Sequence, residues 1–277
     1  MKLKKKLPPN RSYEQVKNHY LVERALAAKL KESTREGRRA LFSTMYDELF
    51  EKVPDHPRLA VRDSEERVRG SNRSKKAVLN RFVDRSTTLL EFAPGSCEFA
   101  VEMAKCLEKV YGVDISDQRG ATVDRPENFE LLIYDGYQLD LHNESVDVVF
   151  SDQLIEHLHP DDTPRHFELV KQVLKPGGRY VFRTPHAHNG PHDVSMYFSD
   201  EPEGFHLKEW TYSQLVDLLR AQGYATIECY WEARGVMFRL PIIYFRVVEK
   251  LMHLMPVRIR RRLSKYLLPK ILVAAVR

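Results

Sequence analysis

From residue 87 onward the chain alternates short apolar runs with longer amphipathic segments. This alternation is typical of a parallel β-sheet that is covered by helices on both faces. The apolar runs predict seven strands, at 89–93, 109–113, 129–134, 145–151, 179–183, 225–231 and 271–276. The amphipathic segments predict helices at 98–110, 163–174 and 211–221. The pattern therefore indicates an α/β fold.

Residues 1–85 lack this alternation and are expected to form a helical N-terminal extension. Ser33 to Glu36 match a capping box, in which Ser33 would cap the following helix. Apolar residues then recur at helical spacing between Ala40 and Phe50. Two interpretations fit the extension, a substrate-binding lid and an inert helical cap, and the sequence leaves both open.

Composition is that of an ordinary globular protein, with 277 residues, 43% of them hydrophobic and 30% charged. Three scattered cysteines, Cys97, Cys106 and Cys229, are too few for a disulfide framework or a zinc site. No apolar run approaches the roughly 18 residues of a membrane span, and the N-terminal lysines precede no apolar signal segment. We therefore expect a cytoplasmic location, or a peripheral one at the inner membrane face.

The net charge of +5 conceals an uneven distribution. Residues 234–277 carry eleven Lys or Arg and one acid, a charge of +10, so the remainder has 33 basic and 38 acidic residues, a charge of −5. Apolar helical residues beside an arginine cluster are typical of a segment on an anionic membrane. They also suit an acceptor with phosphate or a plain helical lid. Nucleic acid is disfavoured, because the remainder is acidic and contains no recognised RNA-binding module.

Acidic residues end the first four predicted strands: Glu91, Asp114, Asp135 and Asp152. In an open α/β sheet the ligand binds at the carboxyl ends of the strands. Asp114 follows Gly95 by 19 residues, the distance at which a carboxylate accepts hydrogen bonds from ribose hydroxyls. A single glycine in the first turn argues against a dinucleotide, whose pyrophosphate favours G-x-G-x-x-G. A ligand without phosphate fits better.

Five segments resemble successive motifs of class I S-adenosylmethionine-dependent methyltransferases. They are LLEFAPGSCEFA, VYGVDIS, YDGYQLDL, SVDVVFSDQLIEHL and LKPGGRYVFRTPH, and together they cover residues 87–186. The resemblance implies a Rossmann-like methyltransferase domain at 86–277 with S-adenosylmethionine as cofactor. It also implies that the last of seven strands runs antiparallel between the fifth and sixth, so that residues 232–269 form a helical insertion.

Carried over by position, the resemblance implies a set of cofactor contacts. These are a loop of Glu91, Phe92, Ala93, Gly95 and Cys97, then Asp114 with Ile115 at the ribose, Asp135 with Gly136 at the adenine, and Asp152 with Gln153 beside the methionine portion. Ala93 and Cys97 depart from the family pattern, which usually has glycine at both positions.

Histidines follow the fourth and fifth predicted strands. Methyl transfer is a direct displacement in which a hydroxyl acceptor must also lose its proton, and histidine is the usual base near neutral pH. We predict His157 or His186 as the base, although hydrogen bonding without proton transfer is an alternative for either. The predicted acceptor contacts are Glu156, His188, His192 and His206. Imidazoles with Asp193 suit a divalent ion, but their spacing matches no standard arrangement, so no metal is expected.

The polar loops favour O-methylation of a glycan or lipid-linked hydroxyl acceptor, with a possible membrane surface at residues 234–270. A quinone or small-phenol acceptor is the alternative, which a mostly aromatic pocket would favour. A non-catalytic protein that binds the cofactor is a second alternative. The sequence does not identify the acceptor or the oligomeric state.

Overall fold

The structure is a computed structural model that describes residues 1–42, 44–62, 65–119, 126–233 and 236–277. Over these residues the strands are β1 Thr88–Phe92, β2 Lys109–Asp114, β3 Phe129–Ile133, β4 Val146–Asp152, β5 Leu174–Thr184, β6 Thr226–Ala233, β7 Val236–Leu240 and β8 Ile271–Val276. The α-helices are α1 Tyr13–Glu32, α2 Arg35–Phe42, α3 Met45–Lys52, α4 Pro57–Arg62, α5 Glu65–Leu79, α6 Glu98–Ala104, α7 Thr163–Val173, α8 Tyr212–Ala221, α9 Ile242–His253 and α10 Val257–Leu267.

One sheet contains all the described strands, in the order β3-β2-β1-β4-β5-β8-β6-β7. Strands β1 to β5 pair in parallel with their neighbours. Strand β8 runs antiparallel between β5 and β6, with Arg179 opposite Val276 and Thr226 opposite the same residue. The predicted α/β fold and the antiparallel position of the last strand are confirmed.

The sheet has an eighth strand, β7, where the sequence predicted the start of a helical insertion. Residues 236–240 pair antiparallel with β6, from Ala233 opposite Val236 to Cys229 opposite Leu240. Met237 is buried and its neighbours Val236 and Phe238 are exposed, which is the two-residue period of a strand. The prediction of a helix was wrong here, and α9 and α10 form only the later part of the segment.

Two apolar layers cover the two faces of the sheet. Strand β8 contributes to both: Ile271, Val273 and Ala275 join one layer, while Leu272 and Ala274 join the other. A strand that is apolar on both faces belongs in the centre of a sheet. Full burial of each large aliphatic side chain stabilises the fold by roughly 1.5–3 kcal/mol, which explains why the chain's last apolar run lies inside the sheet.

Helices α1 and α3 pack on the loop that follows β5. Leu26 and Leu30 of α1, with Leu49 of α3, share an apolar cluster with Phe205 and Leu207. The N-terminal helices are thus joined to the loops at the carboxyl ends of the strands. The division of the chain at residue 85 stays a prediction.

The predicted capping box at Ser33 is wrong in its register. Ser33 ends α1, where its backbone N–H donates to the carbonyl of Leu30. Thr34 provides the side-chain cap of α2, since its hydroxyl accepts from the backbone N–H of Gly37 at 3.2 Å. Because Ser33 and Thr34 are both good capping residues, composition alone does not choose between them.

None of the helices in the described ranges combines the length and the apolar character that crossing a bilayer requires.

Candidate active site

A cavity opens at the carboxyl ends of β1, β2 and β3, which form its floor. Helices α2, α3 and α4, called the roof here, close it from above. The floor includes Ala93, Gly95, Val113, Asp114, Ile115, Tyr134 and Gly136, and the roof contributes Phe42, Met45, Tyr46 and Arg58. The remaining wall includes Tyr137, Leu154, His157, Leu158, His159, Asp162 and His166.

The loop after β1 has the backbone of a three-glycine turn with only one glycine. Ala93, Gly95 and Cys97 have φ of 54°, 58° and 63°, all left-handed. A non-glycine residue in this conformation costs roughly 1–2 kcal/mol. Cys97 is fully buried, and burial raises the pKa of its thiol to about 12. The sequence departs from the family at Ala93 and Cys97, but the turn itself is retained.

Asp114 joins this loop to the end of β2. Its carboxylate accepts from the backbone N–H of Gly95 at 3.2 Å and of Ile115 at 2.8 Å. Burial raises the pKa of Asp114, although these hydrogen bonds act in the opposite direction. A Cβ built on Gly95 would meet nothing within 4 Å, so open space lies beside the carboxylate. A carboxylate has more acceptor sites than these hydrogen bonds use, so Asp114 can also accept from a hydroxyl, and its surroundings fit a ribose.

Gly136 lines the cavity, whereas its neighbour Asp135 is directed toward the roof. Asp135 accepts from the backbone N–H groups of Tyr137 and Gln138, and pairs with Arg39 at 2.5 Å. Burial raises the pKa of Asp135, but these contacts outweigh it and the net pKa is lowered. A Cβ on Gly136 would meet the ring of Phe42 at 3.3 Å, so the roof packs tightly over this glycine.

A buried ion pair fastens the roof to α7. Arg38 of α2 donates from Nε and Nη2 to the two oxygens of Asp162, at 2.6 and 2.8 Å. The hydroxyl of Tyr137 donates to Asp162 at 2.8 Å. Breaking a buried pair by removing one partner typically costs about 3–5 kcal/mol. The roof is therefore a fixed wall of the cavity, which fits the lid interpretation of the extension.

Glu91 and Asp152 lie in a buried network of ion pairs behind the loop. Lys75 of α5 contacts Glu91 at 2.9 Å. Arg183 donates to both oxygens of Asp152, at 2.9 and 2.6 Å, and also approaches Glu232 at 3.6 Å. The network ties α5 and the strands β1, β4, β5 and β6 together. The two acids were predicted from the sequence, but their cationic partners were not, since Lys75 and Arg183 lie far from them in the chain.

The other predicted cofactor residues lie beside the cavity or beneath it. Phe92 is buried, and its ring packs against Tyr134 and His166, which line the cavity. Gln153 has φ of 60° and donates its N–H to the carbonyl of Arg183 at 3.0 Å.

His186 and His188 lie on the side of the sheet that faces α9. His186 is fully buried, with Nε2 at 2.9 Å from a carboxylate oxygen of Glu249 and Nδ1 accepting from the N–H of His188. Nε2 of His188 is 3.1 Å from the carbonyl oxygen of Glu249. Both ring nitrogens of His186 are therefore engaged away from the cavity, and its geometry gives no support to a role as base.

His157 is the predicted base that lines the cavity. Its Nδ1–H donates to the carbonyl of Phe205 at 2.9 Å. Burial lowers the pKa of His157 to about 3, with the nearby charge of His206 adding to the effect. The imidazole is therefore neutral near pH 7, and its Nε2 carries a lone pair.

The predicted acceptor residues Glu156, His192 and His206 form a group next to His157. His192 and His206 share the carboxylate of Glu209, at 3.0 and 2.8 Å. Glu156 is fully buried, and one of its oxygens accepts from the hydroxyl of Thr184 at 2.8 Å. Burial raises the pKa of Glu156 to about 7.

Five residues that line the cavity were not predicted from the sequence: Phe42, Met45, Tyr46 and Arg58 of the roof, and Tyr137 of the wall. The apolar periodicity from Ala40 to Phe50 predicts a helix but says nothing about which cavity it covers. Contacts between segments this distant in the chain arise only from the packing of α2 and α3.

Comparisons with known proteins bear on this site. Residues 90–182 match the family model described as a methyltransferase domain. The chain therefore contains a class I S-adenosylmethionine-dependent methyltransferase domain. The methyltransferase is an enzyme whose cofactor is S-adenosylmethionine, and the prediction of family and cofactor is confirmed. A search of curated proteins gives no match for this sequence.

Solved structures share the fold of the methyltransferase. A chain from the complex of the Haloferax volcanii Trm112 methyltransferase activator with a protein assigned as a methyltransferase is 18% identical, at a TM-score of 0.55, over 79% of this chain and 94% of that one. An S-adenosylmethionine-dependent methyltransferase from Mesorhizobium loti is 17% identical, at 0.51, over 74% and 98%. At these identities the likeness concerns the fold alone.

Proposed function

We propose that the methyltransferase methylates a hydroxyl oxygen on an aromatic acceptor that it takes from a membrane surface. The observation that carries the proposal is the apolar and aromatic character of the cavity opposite the cofactor loop. Phe42, Met45 and Tyr46 form the roof there, and Leu154 and Leu158 continue the wall. Such a surface stabilises a ring by burial, whereas most hydroxyls of a glycan would lack hydrogen-bond partners against it.

The lining of the cavity favours a phenol or quinone acceptor over the glycan that the sequence favoured. A cavity that pairs apolar walls with a few polar groups is typical of sites for small aromatic ligands. Arg58 stacks on the ring of Tyr46 with its guanidinium 5.2 Å from the ring centre, which keeps a positive charge near the mouth. A glycan or lipid-linked sugar stays a prediction with less support.

The chain's own residues would orient the reactants and exclude water. Asp114 would accept hydrogen bonds from the cofactor's ribose, and the open backbone at Gly95 would allow close approach. The bound cofactor supplies the methyl group from its sulfonium. His157 offers a neutral Nε2 toward the acceptor's hydroxyl, while Phe42 and Tyr46 keep water out of the cavity.

Two helical faces on α9 and α10 support a membrane source for the acceptor. Exposed apolar residues recur at helical spacing on each, and we call them the apolar stripes. They are Ile243, Val247 and Leu251 on α9 with Leu254 directly after it, and Ile259, Leu263, Tyr266 and Leu267 on α10. Eleven of the fifteen exposed large hydrophobic residues in the described ranges lie between 236 and 267. An exposed apolar set of this size marks an interaction surface.

Basic residues beside the stripes favour an anionic lipid bilayer as the partner. Lys250, Arg258, Arg262 and Lys265 are exposed on the same two helices. Each basic side chain near an anionic membrane surface contributes about 1 kcal/mol to binding. An amphipathic helix with such a charge pattern lies in the plane of the membrane interface.

Methyl transfer to a panel of acceptors tests the chemistry. We expect transfer from radiolabelled S-adenosylmethionine to a catechol or hydroquinone and none to neutral sugars. Tyr46→Ala should raise KM for the phenol, because Tyr46 packs on Phe205, which holds His157, whereas Phe82→Ala, a half-buried phenylalanine that packs on Tyr230, should not. Transfer to sugars with no transfer to phenols would overturn the aromatic acceptor.

Vesicle sedimentation tests the membrane. Binding is expected to vesicles of phosphatidylcholine with phosphatidylglycerol, and to weaken in Leu251→Asp. Ile133→Asp is the matched control, because Ile133 is 54% exposed and Leu251 is 53% exposed, but Ile133 lies on the opposite edge strand β3. Equal sedimentation of the two variants, or none for the unmodified protein, would contradict a membrane partner.

A further inference from the structure

Glu156, His157 and His206 bring three potential ligand atoms to one place beside the cavity. One carboxylate oxygen and one ring nitrogen from each histidine lie within 4.8 Å of one another. The rings of His157 and His206 meet edge to face, with their centres 4.9 Å apart. His157 also lines the cavity, so the cluster adjoins the space that the reactants occupy.

The hydrogen bonds of the two histidines determine which nitrogen each leaves available. Nδ1 of His157 lies 2.9 Å from the carbonyl oxygen of Phe205, and Nδ1 of His206 lies 2.8 Å from a carboxylate oxygen of Glu209. Because both partners can only accept, each Nδ1 carries a hydrogen and donates it. Where a ring is neutral, its lone pair is then on Nε2. A carboxylate or carbonyl that holds the second ring nitrogen is the usual support of a metal-binding histidine.

The carboxylate of Glu156 supplies a second, independent observation. Its side chain is fully buried, and Oε2 accepts from the hydroxyl of Thr184 at 2.8 Å. Its other oxygen, Oε1, is buried with no hydrogen-bond partner among the described residues. An unpartnered buried carboxylate oxygen costs about 1–3 kcal/mol or more, and native structures seldom keep one without a reason.

We propose that Glu156, His157 and His206 bind a divalent transition-metal ion through Oε1 and the two Nε2 atoms. Two imidazoles and one carboxylate suit Zn²⁺, Mn²⁺, Fe²⁺ or Co²⁺. Three protein ligands leave at least one coordination position for a water molecule or a substrate oxygen. The site differs from the set that the sequence suggested, since His186 and His188 are engaged with Glu249 elsewhere.

The ion gives His157 a different task in the proposed reaction, and this step alone rests on the proposed function. With Nε2 of His157 bound to the ion, the open coordination position would be available to the acceptor's hydroxyl oxygen. A divalent ion lowers the pKa of an oxygen that binds it, so that the hydroxyl loses its proton to solvent more readily. Glu209 then acts as a positioning residue, because it holds the ring of His206.

Titration of the full-length protein with Co²⁺ tests the site without any acceptor. After dialysis against a chelator, the protein is expected to bind one equivalent of Co²⁺ and to develop visible absorption bands. Glu156→Gln and His206→Gln should lose this binding. Glu209→Gln should weaken it by about 10–100-fold, as changes to residues behind the ligands do. His142→Gln is the control, because His142 is an exposed histidine outside the cluster.

The outcomes separate this inference from the proposed function. Stoichiometric binding that disappears in Glu156→Gln, while circular dichroism reports a folded variant, supports the site. Absence of stoichiometric binding of Co²⁺, Zn²⁺ and Mn²⁺, or binding that persists in both ligand variants, overturns it. Methyl transfer to phenols that survives the chelator would overturn the ion's role in the reaction while leaving the aromatic acceptor standing.

Discussion

Two clusters of one glutamate and two histidines lie within the described part of the chain, and they differ in how the carboxylate is hydrogen-bonded. His19, Glu23 and His56 also bring three ligand atoms within 4.8 Å of one another. There, one carboxylate oxygen of Glu23 lies 2.7 Å from Nε2 of His19. The other oxygen accepts a hydrogen bond from the backbone N–H of Phe205 at 3.3 Å. We call this set the roof-side cluster, and Glu156, His157 and His206 the cavity cluster.

The hydrogen bonds of the roof-side cluster leave His19 unable to bind a metal ion unless the cluster rearranges. Arg11 lies 2.9 Å from Nδ1 of His19, and a guanidinium can only donate. Nδ1 is therefore the acceptor, Nε2 carries the hydrogen and donates it to Glu23, and His19 keeps no free lone pair. In the cavity cluster, by contrast, the two histidines donate from Nδ1, and Oε1 of Glu156 has no hydrogen-bond partner within the described ranges. Both clusters have the same residue types, with ligand atoms within 4.8 Å of one another, so the hydrogen bonds around them decide what each can bind.

The largest difference between the two clusters is expected in how much Zn²⁺ raises the free energy of unfolding. Saturation with Zn²⁺ at 100 times its dissociation constant should stabilise the unmodified protein by about 2.7 kcal/mol. The same shift should appear in Glu23→Gln and be absent in Glu156→Gln. Thermal unfolding with and without Zn²⁺ measures it. An equal loss in both variants would mean that the two clusters do not differ as we infer.

The second contrast concerns stability in the presence of a chelator. Glu23→Gln should lower the free energy of unfolding by roughly 2 kcal/mol, because a buried, fully bonded charge is lost. Glu156→Gln should be neutral or stabilising, since it replaces a buried carboxyl that has an unpartnered oxygen. Urea unfolding at pH 7 compares the two. A larger cost at Glu156 than at Glu23 would reverse the assignment of structural and binding roles.

The third contrast is a pH dependence of the roof-side cluster. Burial alone would raise the pKa of Glu23, but His19, His56 and the N–H of Phe205 lower it to about 2. A depressed pKa contributes stability that is present above the unfolded value of 4.5 and is lost as pH falls toward 2. The difference in unfolding free energy between the unmodified protein and Glu23→Gln should therefore shrink between these pH values. A constant difference would show that the charge of Glu23 is not what stabilises the cluster.

The smallest effect is expected at His56. Its Nε2 lies 3.5 Å from Glu23, a longer contact than the 2.7 Å from His19. His56→Gln should cost only about 0.5–1 kcal/mol, the net value of a weak hydrogen bond, and less than His19→Gln. Chemical denaturation of the two variants gives the comparison. A greater loss of stability in His56→Gln than in His19→Gln would mean that His56, and not His19, is the main partner of Glu23.

Much of the methyltransferase core could be predicted from the sequence, because its signals are local. Leu89 and Leu90, with the acid and the Pro-Gly break that follow, predict a strand and a turn wherever they occur. Asp114 was predicted at the ribose from its distance to Gly95 alone, and it does line the cavity with that glycine. The edge strand β7 was missed because five residues with a short alternation also fit the start of an amphipathic helix.

The site was harder to predict, because it combines residues from distant segments. His157 and His186 looked equivalent, as each follows a strand at the same edge of the sheet. Only α9, which brings Glu249 against His186, separates them. The aromatic roof depends likewise on Arg38 reaching Asp162 across more than a hundred residues.

The sequence by itself determined the order of strands and helices, the cofactor loop and the acids that end the strands, since periodicity, turn residues and spacing act over short stretches of chain. The tertiary structure decided which of those residues share a cavity and which are engaged in hydrogen bonds or ion pairs with other residues. Asp114 lies open beside Gly95, while Asp152 is held by Arg183. The physical reason is that hydrogen bonding and burial depend on neighbours in space, and these arise from the packing of helices that no local pattern specifies.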